Sequence, residues 1–263
     1  MENIFTVEGK CALVTGGSRG IGEMIARGFV THGVKTYISS RSTEACDALA
    51  SELSRVGECI ALPADLSNLD GVASVAEQIA SNEDRLDILV NNAGVVWAEP
   101  IDDFSEAGWD KVMNINIKSP FFLTQRLLPQ LRAAASFEDP ARIINVGSID
   151  GIRVNPMDTY SYAASKSGLH HLTRAMAKRL ARENITVNAV APGPFESKMM
   201  AHTLTHFRKE IESAVPMGRV GKPEDMAGIA LYLAGPAGSY LTGAVIPVDG
   251  GLSNCGEVSD RHF

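Results

Sequence analysis

The chain has 263 residues, 45% of them apolar and 21% charged, and a formal net charge of −7. That length and apolar content suffice for one large core, and α/β chains of this size commonly fold as one domain. Acids and bases are mixed throughout, so no basic stripe points to nucleic acid or an anionic membrane, and no apolar run is long enough to span a bilayer.

Residues 1–9 contain acids and lack the basic and apolar regions of a secretion signal, which predicts a cytoplasmic protein. Cys11, Cys46, Cys59 and Cys255 are widely scattered and read as reduced thiols. The six histidines, including adjacent His170 and His171, lack metal-ligand spacing and read as helix-surface residues. No metal is expected.

Residues 10–15 are a short apolar run ending in Gly16-Gly-Ser-Arg-Gly-Ile-Gly22, after which a helical pattern runs to about residue 32. A glycine turn between strand and helix suits a dinucleotide pyrophosphate. The glycines permit a sharp turn and close backbone approach, and the free N–H groups at the helix start attract negative charge. Gly16, Ser18, Arg19, Gly20, Ile21 and Gly22 are therefore candidate cofactor residues.

A second strand over 34–39, a helix over 43–56 and a third strand over 59–63 follow, the last ending in Ala64-Asp65-Leu66. The end of the second strand bears on cofactor choice, because an acidic residue there would accept hydrogen bonds from the ribose 2′-hydroxyl of NAD(H). Here it reads Ser39-Ser40-Arg41. No carboxylate repels a 2′-phosphate, Arg41 can pair with one, and Arg19 supplies a second charge. Solvated surface arginines are the ordinary alternative; the pattern predicts NADP(H), with Ser40 and Arg41 in the site.

A helix over 69–79 and a buried strand over 86–90 lead to Asn91-Asn92-Ala93-Gly94. Ligands of open parallel sheets sit at the carboxyl edge. Turn chemistry accounts for either asparagine alone, but two amides at that edge predict a holding role. A long helix spans about 107–135, interrupted near 114–119 and by Pro129, and its apolar residues exceed one stripe. A partner chain is expected against it.

The fifth strand covers 142–146, with Ser148 just beyond its end, and a helix runs over 162–182. Within that helix Tyr162 and Lys166 are four residues apart, on one face. A phenol with pKa about 10 exchanges protons poorly at neutral pH; a nearby ammonium favours the phenolate and lowers that value. Ser148 can hydrogen-bond a substrate oxygen while Tyr162 exchanges its proton. This is carbonyl/alcohol chemistry. An exposed helix pair would show the same spacing, but here a nucleotide-binding pattern precedes it in the chain. Tyr160 and Tyr240 have no lysine four residues on.

A sixth strand over 185–190 leads into Pro192-Gly-Pro194 and a segment to about 217 rich in Met, His and Phe. It reads as a mobile lid over 194–217, with a packed surface helical hairpin as the alternative. A helix over 223–233 and a strand over 244–248 complete the chain. Strand and helix alternate over 1–263, which predicts a single α/β domain: a doubly wound, Rossmann-type parallel sheet with helices on both faces.

Together, Thr15-Gly-x-x-x-Gly20-x-Gly22, Asn91-Asn-Ala-Gly94, Asn116, Ser148, Tyr162-x-x-x-Lys166 and Pro192-Gly193 resemble the short-chain dehydrogenase/reductase family over almost the whole chain. The resemblance implies a seven-stranded parallel sheet, a nicotinamide cofactor and a homotetramer. It makes Tyr162 the acid/base, Ser148 the carbonyl-orienting hydroxyl and Lys166 also the holder of the nicotinamide ribose. Asn116 keeps a proton-relay water, and its place at the helix interruption fits a displaced backbone carbonyl. Asp65 and Leu66 fall at the adenine, Asn92, Ala93 and Gly94 near the adenosine-side ribose, and Pro192, Gly193, Phe195 and Ser197 at the nicotinamide.

Three features depart from the family pattern. Ser197 stands where threonine is usual, Ser119 replaces a frequent glycine, and thirteen residues separate Ser148 from Tyr162, one more than is commonest. The extra residue falls in the loop 150–159, which touches substrate in this family. Gly16–Gly22, Ala64-Asp-Leu66, Asn145-Val-Gly-Ser148 and Pro216-Met-Gly-Arg219 look most like the NADPH-dependent 3-oxoacyl reductases, especially the rhamnolipid-pathway branch. The expected substrate is a 3-oxoacyl thioester, on coenzyme A rather than a carrier protein, because Glu138-Asp139 and Arg182-Glu183 stand where carrier-binding relatives present basic residues. The alternatives are another secondary alcohol or ketone, such as a sugar or steroid, and a non-catalytic dinucleotide sensor.

Overall fold

Strands buried on both faces read as continuous apolar runs, and those runs become one sheet here. A computed structural model describes residues 3–197 and 200–255, apart from the side chain of residue 202. Its strands are β1 (Cys11–Thr15), β2 (Lys35–Ser39), β3 (Cys59–Ala61), β4 (Ile88–Asn91), β5 (Ala141–Val146), β6 (Ile185–Pro192) and β7 (Val245–Val248). All pair in parallel, in the order β3-β2-β1-β4-β5-β6-β7. The order reverses between β1 and β4, which opens a crevice at their carboxyl ends.

The helices are α1 (Gly20–Thr31), α2 (Thr43–Leu53), α3 (Leu69–Asn82), α4 (Glu106–Met113), α5 (Ser119–Ala134), α6 (Tyr160–Leu180), α7 (Ala201–Ala214) and α8 (Pro223–Ala234). Successive strand residues point to opposite faces. Ala12, Val14, Ile144 and Val146 accordingly pack with α1, α2 and α8, while Leu13, Ala141 and Ile143 pack with α3, α5 and α6. Each fully buried Leu, Ile or Val contributes about 1.5–3 kcal/mol relative to exposure.

Side-chain caps set several helix starts: Ser42 accepts from Ala45 N at 3.3 Å and Asn68 from Gly71 N at 2.8 Å. The helix expected over 43–56 stops at Leu53, and the one expected over 162–182 starts earlier, at Tyr160, and closes in a 3-10 turn over Ala181–Glu183. The interruption expected near 114–119 is a π-helical turn, Asn114–Lys118, in which the Ser119 N–H reaches back to Asn114 O. Pro129 lies inside α5 without ending it.

The segment read as a lid, with a packed helical hairpin as the alternative, holds α7, in which two helical stretches meet at a kink with non-helical backbone at Phe207 (φ −129°, ψ 26°); residues 198 and 199 of that segment lie outside the described residues. Among the described residues no helix is long and apolar enough to cross a membrane.

Candidate active site

Thr15 at the end of β1 joins the glycine turn to the β4 edge. Its Oγ1 donates to Val90 O (3.1 Å) and accepts from Asn92 N (2.9 Å) and Ala93 N (3.0 Å). Asn92 Nδ2 donates in turn to Thr15 O (2.8 Å) and Gly16 O (3.1 Å). Gly16 has φ +62°, and a Cβ on it would stand 2.8 Å from Asn92 Nδ2. The turn thus requires glycine for conformation and for space. The Asn92 amide is spent holding the cradle.

Asn91, expected to hold ligand, does not. It is buried, donating to Asn145 Oδ1 at 2.9 Å and toward Thr124 Oγ1 at 3.3 Å, and Asn145 continues to Thr173 Oγ1 at 2.9 Å. This network ties β4 and β5 to α5 and α6 beneath the site, because a buried amide must find partners inside the protein.

On the other side of the cradle, Gly17 N donates to Ser39 O at 3.1 Å and Ser40 Oγ to Ser42 O at 3.2 Å. Arg19 and Arg41 are exposed, and neither has an ion-pair partner among the described residues. Ser18 is half-buried within the turn. Asp65 is exposed, with Oδ1 accepting from Ser67 N at 3.0 Å. Leu66, Ile21 and Phe195 turn their side chains into the core. Phe195 is 2% exposed and packs under Gly221, so its ring is withdrawn from any ligand and only its backbone remains to face one.

The three residues expected to carry the chemistry lie across the crevice. Ser148 follows β5, and Tyr162 and Lys166 project from α6. Lys166 is buried, donates Nζ to Val146 O at 2.8 Å and stands 5.5 Å from the Tyr162 ring centroid. A Cβ on Gly94 would lie 3.6 Å from Lys166 Nζ, and one on Gly20 would lie 3.2 Å from Ser197 Cβ. The Gly94 turn therefore meets the lysine, and the chain beyond Gly193 folds over the cradle. Pro192 ends β6, and Gly193 N donates to Val248 O at 3.0 Å. A cavity of about 600 Å³ between α7 and Glu196–Ser197 adjoins this edge.

Asn116 lies in the π turn and is buried. Its Oδ1 accepts from Val95 N and its Nδ2 donates to Val95 O, both at 2.9 Å, and Nδ2 also donates to Ser165 Oγ at 3.0 Å. The amide clamps the chain after Gly94 to α6.

Residues 16–253 match a family model described as enoyl-(acyl carrier protein) reductase. A Pseudomonas aeruginosa rhamnolipids biosynthesis 3-oxoacyl-(acyl-carrier-protein) reductase is 49% identical over 254 residues, covering 96% of this chain and 99% of that one. The chain belongs to the short-chain dehydrogenase/reductase family. It is an oxidoreductase. A 2-dehydro-3-deoxy-D-gluconate 5-dehydrogenase of Dickeya dadantii is 37% identical over 259 residues, covering 95% and 97% of the two chains. A solved Pseudomonas aeruginosa structure described as an RhlG/NADP active-site complex superimposes with a TM-score of 0.93 at 47% identity, covering 96% of this chain and 100% of that one.

Electrostatics in this dehydrogenase/reductase differ from the simple expectation for the Tyr162–Lys166 pair. Burial pushes the phenol up to about 12, against the Ser148 hydrogen bond, which pulls down, and with Asp150, which pushes further up. Burial draws Lys166 down to about 8, with Asp150 opposing. Lys166 spends a donor on Val146, and loss of solvation dominates both groups.

His170 corrects a second expectation: it is 3% exposed, not a surface residue, whereas His171 is exposed. Its ring packs against Gly147 and Gly151, its Nε2 has no hydrogen-bond partner among the described residues, and burial holds its pKa down at about 4. The spacing Tyr162, Lys166, His170 places all three on one helix face, a signal available in the sequence. Val95 and Ser165, which Asn116 joins, carried no local signal.

Proposed function

We propose that this enzyme is an NADP(H)-dependent reductase of 3-oxoacyl thioesters, with Asn116, Ser148, Tyr162 and Lys166 as its catalytic group. The observation that carries the reading is the convergence of Ser148, Tyr162 and Lys166 on the sheet edge that also holds the glycine cradle. The cradle suits a dinucleotide: Gly16 and Gly22 let the turn pack tightly on Asn92, where any side chain would collide with the protein's own atoms, and Arg19 and Arg41, without ion-pair partners among the described residues, flank a β2 end without a carboxylate. Gly16, Gly20 and Gly22 would admit the pyrophosphate, Arg19, Ser40 and Arg41 the 2′-phosphate, and Lys166 the nicotinamide ribose.

When bound, NADPH supplies a hydride to the substrate carbonyl carbon. Tyr162 gives its phenolic proton to the carbonyl oxygen, Ser148 Oγ hydrogen-bonds that oxygen, and a secondary alcohol results. Lys166 places positive charge beside the phenol as it loses its proton.

The thioester substrate is supported by the named activity of the 49%-identical relative and by exposed Ile152, Val154 and Met157 in the loop after Ser148, which offer apolar surface to an acyl chain. The sugar-dehydrogenase relative favours a second reading, a sugar ketone. We read residues 194–217 as a lid within one domain and the enzyme as a cytoplasmic homotetramer, with exposed Trp109 on α4 and Phe121 on α5 as contact surface. Following NADPH consumption with 3-oxoacyl thioesters of coenzyme A and of carrier protein, a ketogluconate, a ketosteroid and a simple ketone tests substrate and carrier together. Turnover of a thioester is expected, and its absence beside turnover of a sugar ketone would replace the first reading by the second.

A further inference from the structure

Gly147 and Gly151 bracket Ser148 and the single 3-10 turn that it opens, Ile149–Gly151. Gly151 N closes the turn by donating to Ser148 O at 3.0 Å, and the Asp150 N–H donates to Ser148 Oγ at 3.1 Å. A serine hydroxyl has one proton and two lone pairs. With a backbone N–H on one lone pair, its proton is left to donate to a substrate oxygen, so the turn decides where that hydroxyl points. His170 of α6 stands between the two glycines: a Cβ on Gly147 would lie 2.1 Å from its Nε2, and one on Gly151 would lie 2.7 Å from its Cε1 and 2.9 Å from its Nδ1. Two hydrogen bonds from α6 reach the same stretch, Lys166 Nζ to Val146 O at 2.8 Å and Ser167 Oγ to Gly151 O at 3.2 Å. The first fixes the chain before the turn; the second comes from an exposed residue. A cavity of about 370 Å³, lined in part by Gly151, Ile152, Ser167, His170 and Arg174, adjoins the turn and gives it room to shift. The buried ring is thus the rigid spacer between α6 and the turn, and the proton transfer described above makes no use of it.

We propose that His170 is a positioning residue: its ring, wedged between Gly147 and Gly151, sets the Ser148 turn against α6 and so aims the Ser148 hydroxyl, whose carbonyl-orienting role is taken from the function proposed above. Tyr162 and His170 both belong to α6. One rigid element therefore places the phenol directly and the hydroxyl through the ring, and a carbonyl oxygen that must meet both groups at once depends on that shared placement.

The test is a double-mutant cycle with Ser148→Ala, read as kcat, KM and NADPH affinity. His170→Ala takes the wedge away, and Gly147→Ala drives a methyl group against the ring. Each is expected to lower kcat by about tenfold to 100-fold while NADPH affinity stays unchanged. In the Ser148→Ala background the same two changes should cost less than about twofold, because the hydroxyl they misplace is gone. Gly147→Ala combined with His170→Ala should recover part of kcat, since the methyl then occupies space the imidazole held. A ring that only supports the fold would cost the same factor with and without the Ser148 hydroxyl, and that result overturns the proposal. Where His170→Ala does not fold, Gly147→Ala carries the cycle with the ring present. Crystal structures of the variants should show Ser148 Oγ displaced relative to Tyr162, and an unmoved Oγ overturns the proposal as well. Should Ser148→Ala keep wild-type turnover, the role proposed for Ser148 fails instead, and the crystal structures still decide whether His170 sets the turn.

Discussion

Lys166 on α6 donates Nζ to the backbone carbonyl of Val146, the last residue of β5, at 2.8 Å. Ser148 lies two residues beyond that carbonyl, so one hydrogen bond sets the helix carrying the phenol against the strand end carrying the hydroxyl. The ammonium is held on the backbone rather than on the phenol oxygen.

Tyr162→Phe removes the proposed proton donor and leaves the glycine cradle and Lys166 in place. Turnover should fall by ~10²–10⁴-fold while NADPH affinity stays near wild type. Steady-state rates beside fluorescence titration of NADPH check this; near-normal turnover would remove Tyr162 from the chemistry.

Arg19 and Arg41 have no ion-pair partner among the described residues and flank the end of β2. A charge-assisted hydrogen bond contributes about 1.5–3 kcal/mol, so losing one should cost about tenfold or more in NADPH affinity. Ser40→Asp with Arg41→Ser should shift preference toward NADH, whose ribose hydroxyl the new carboxylate can accept from. Titration of both reduced cofactors decides it; a wild type binding NADH as tightly as NADPH would show that these arginines do not read the phosphate.

Asn116→Ala deletes one acceptor and one donor that together satisfy both backbone groups of Val95. Each buried group left unpaired costs about 1–3 kcal/mol. Thermal or urea unfolding should therefore show a loss within that range per group. Turnover should fall too, as the chain after Gly94 loosens beside Lys166.

His170 titrates at about 4 in the folded protein, below its ordinary 6.5, because burial disfavours imidazolium. The unfolded chain then binds the proton first. Stability tied to this residue is complete above about pH 6.5, falls as pH drops, and levels off below about pH 4. The full loss amounts to at most about 3 kcal/mol. Urea unfolding across that window should show a flatter slope in His170→Gln than in wild type, and parallel slopes would refute the assignment.

Much of this protein is local enough to be read from residues in order. Apolar runs of strand length, the glycine turn and the four-residue step from Tyr162 to Lys166 each depend on neighbours within a turn or two, so the α/β class, the glycine turn and the shared helix face of Tyr162 and Lys166 were all legible. The π turn was visible only as an interruption near Asn116. Tertiary structure alone decided where the polar groups went. Asn91 and Asn92 read alike in sequence, yet successive strand-edge residues face different ways, and one meets Asn145 in the core while the other meets Thr15 and Gly16. Likewise Phe195 is buried by Gly221 and Lys166 is anchored by Val146, partners many residues away. A residue's type and spacing limit the face it occupies, but its surroundings and its proton affinity are set by whatever the fold packs against that face.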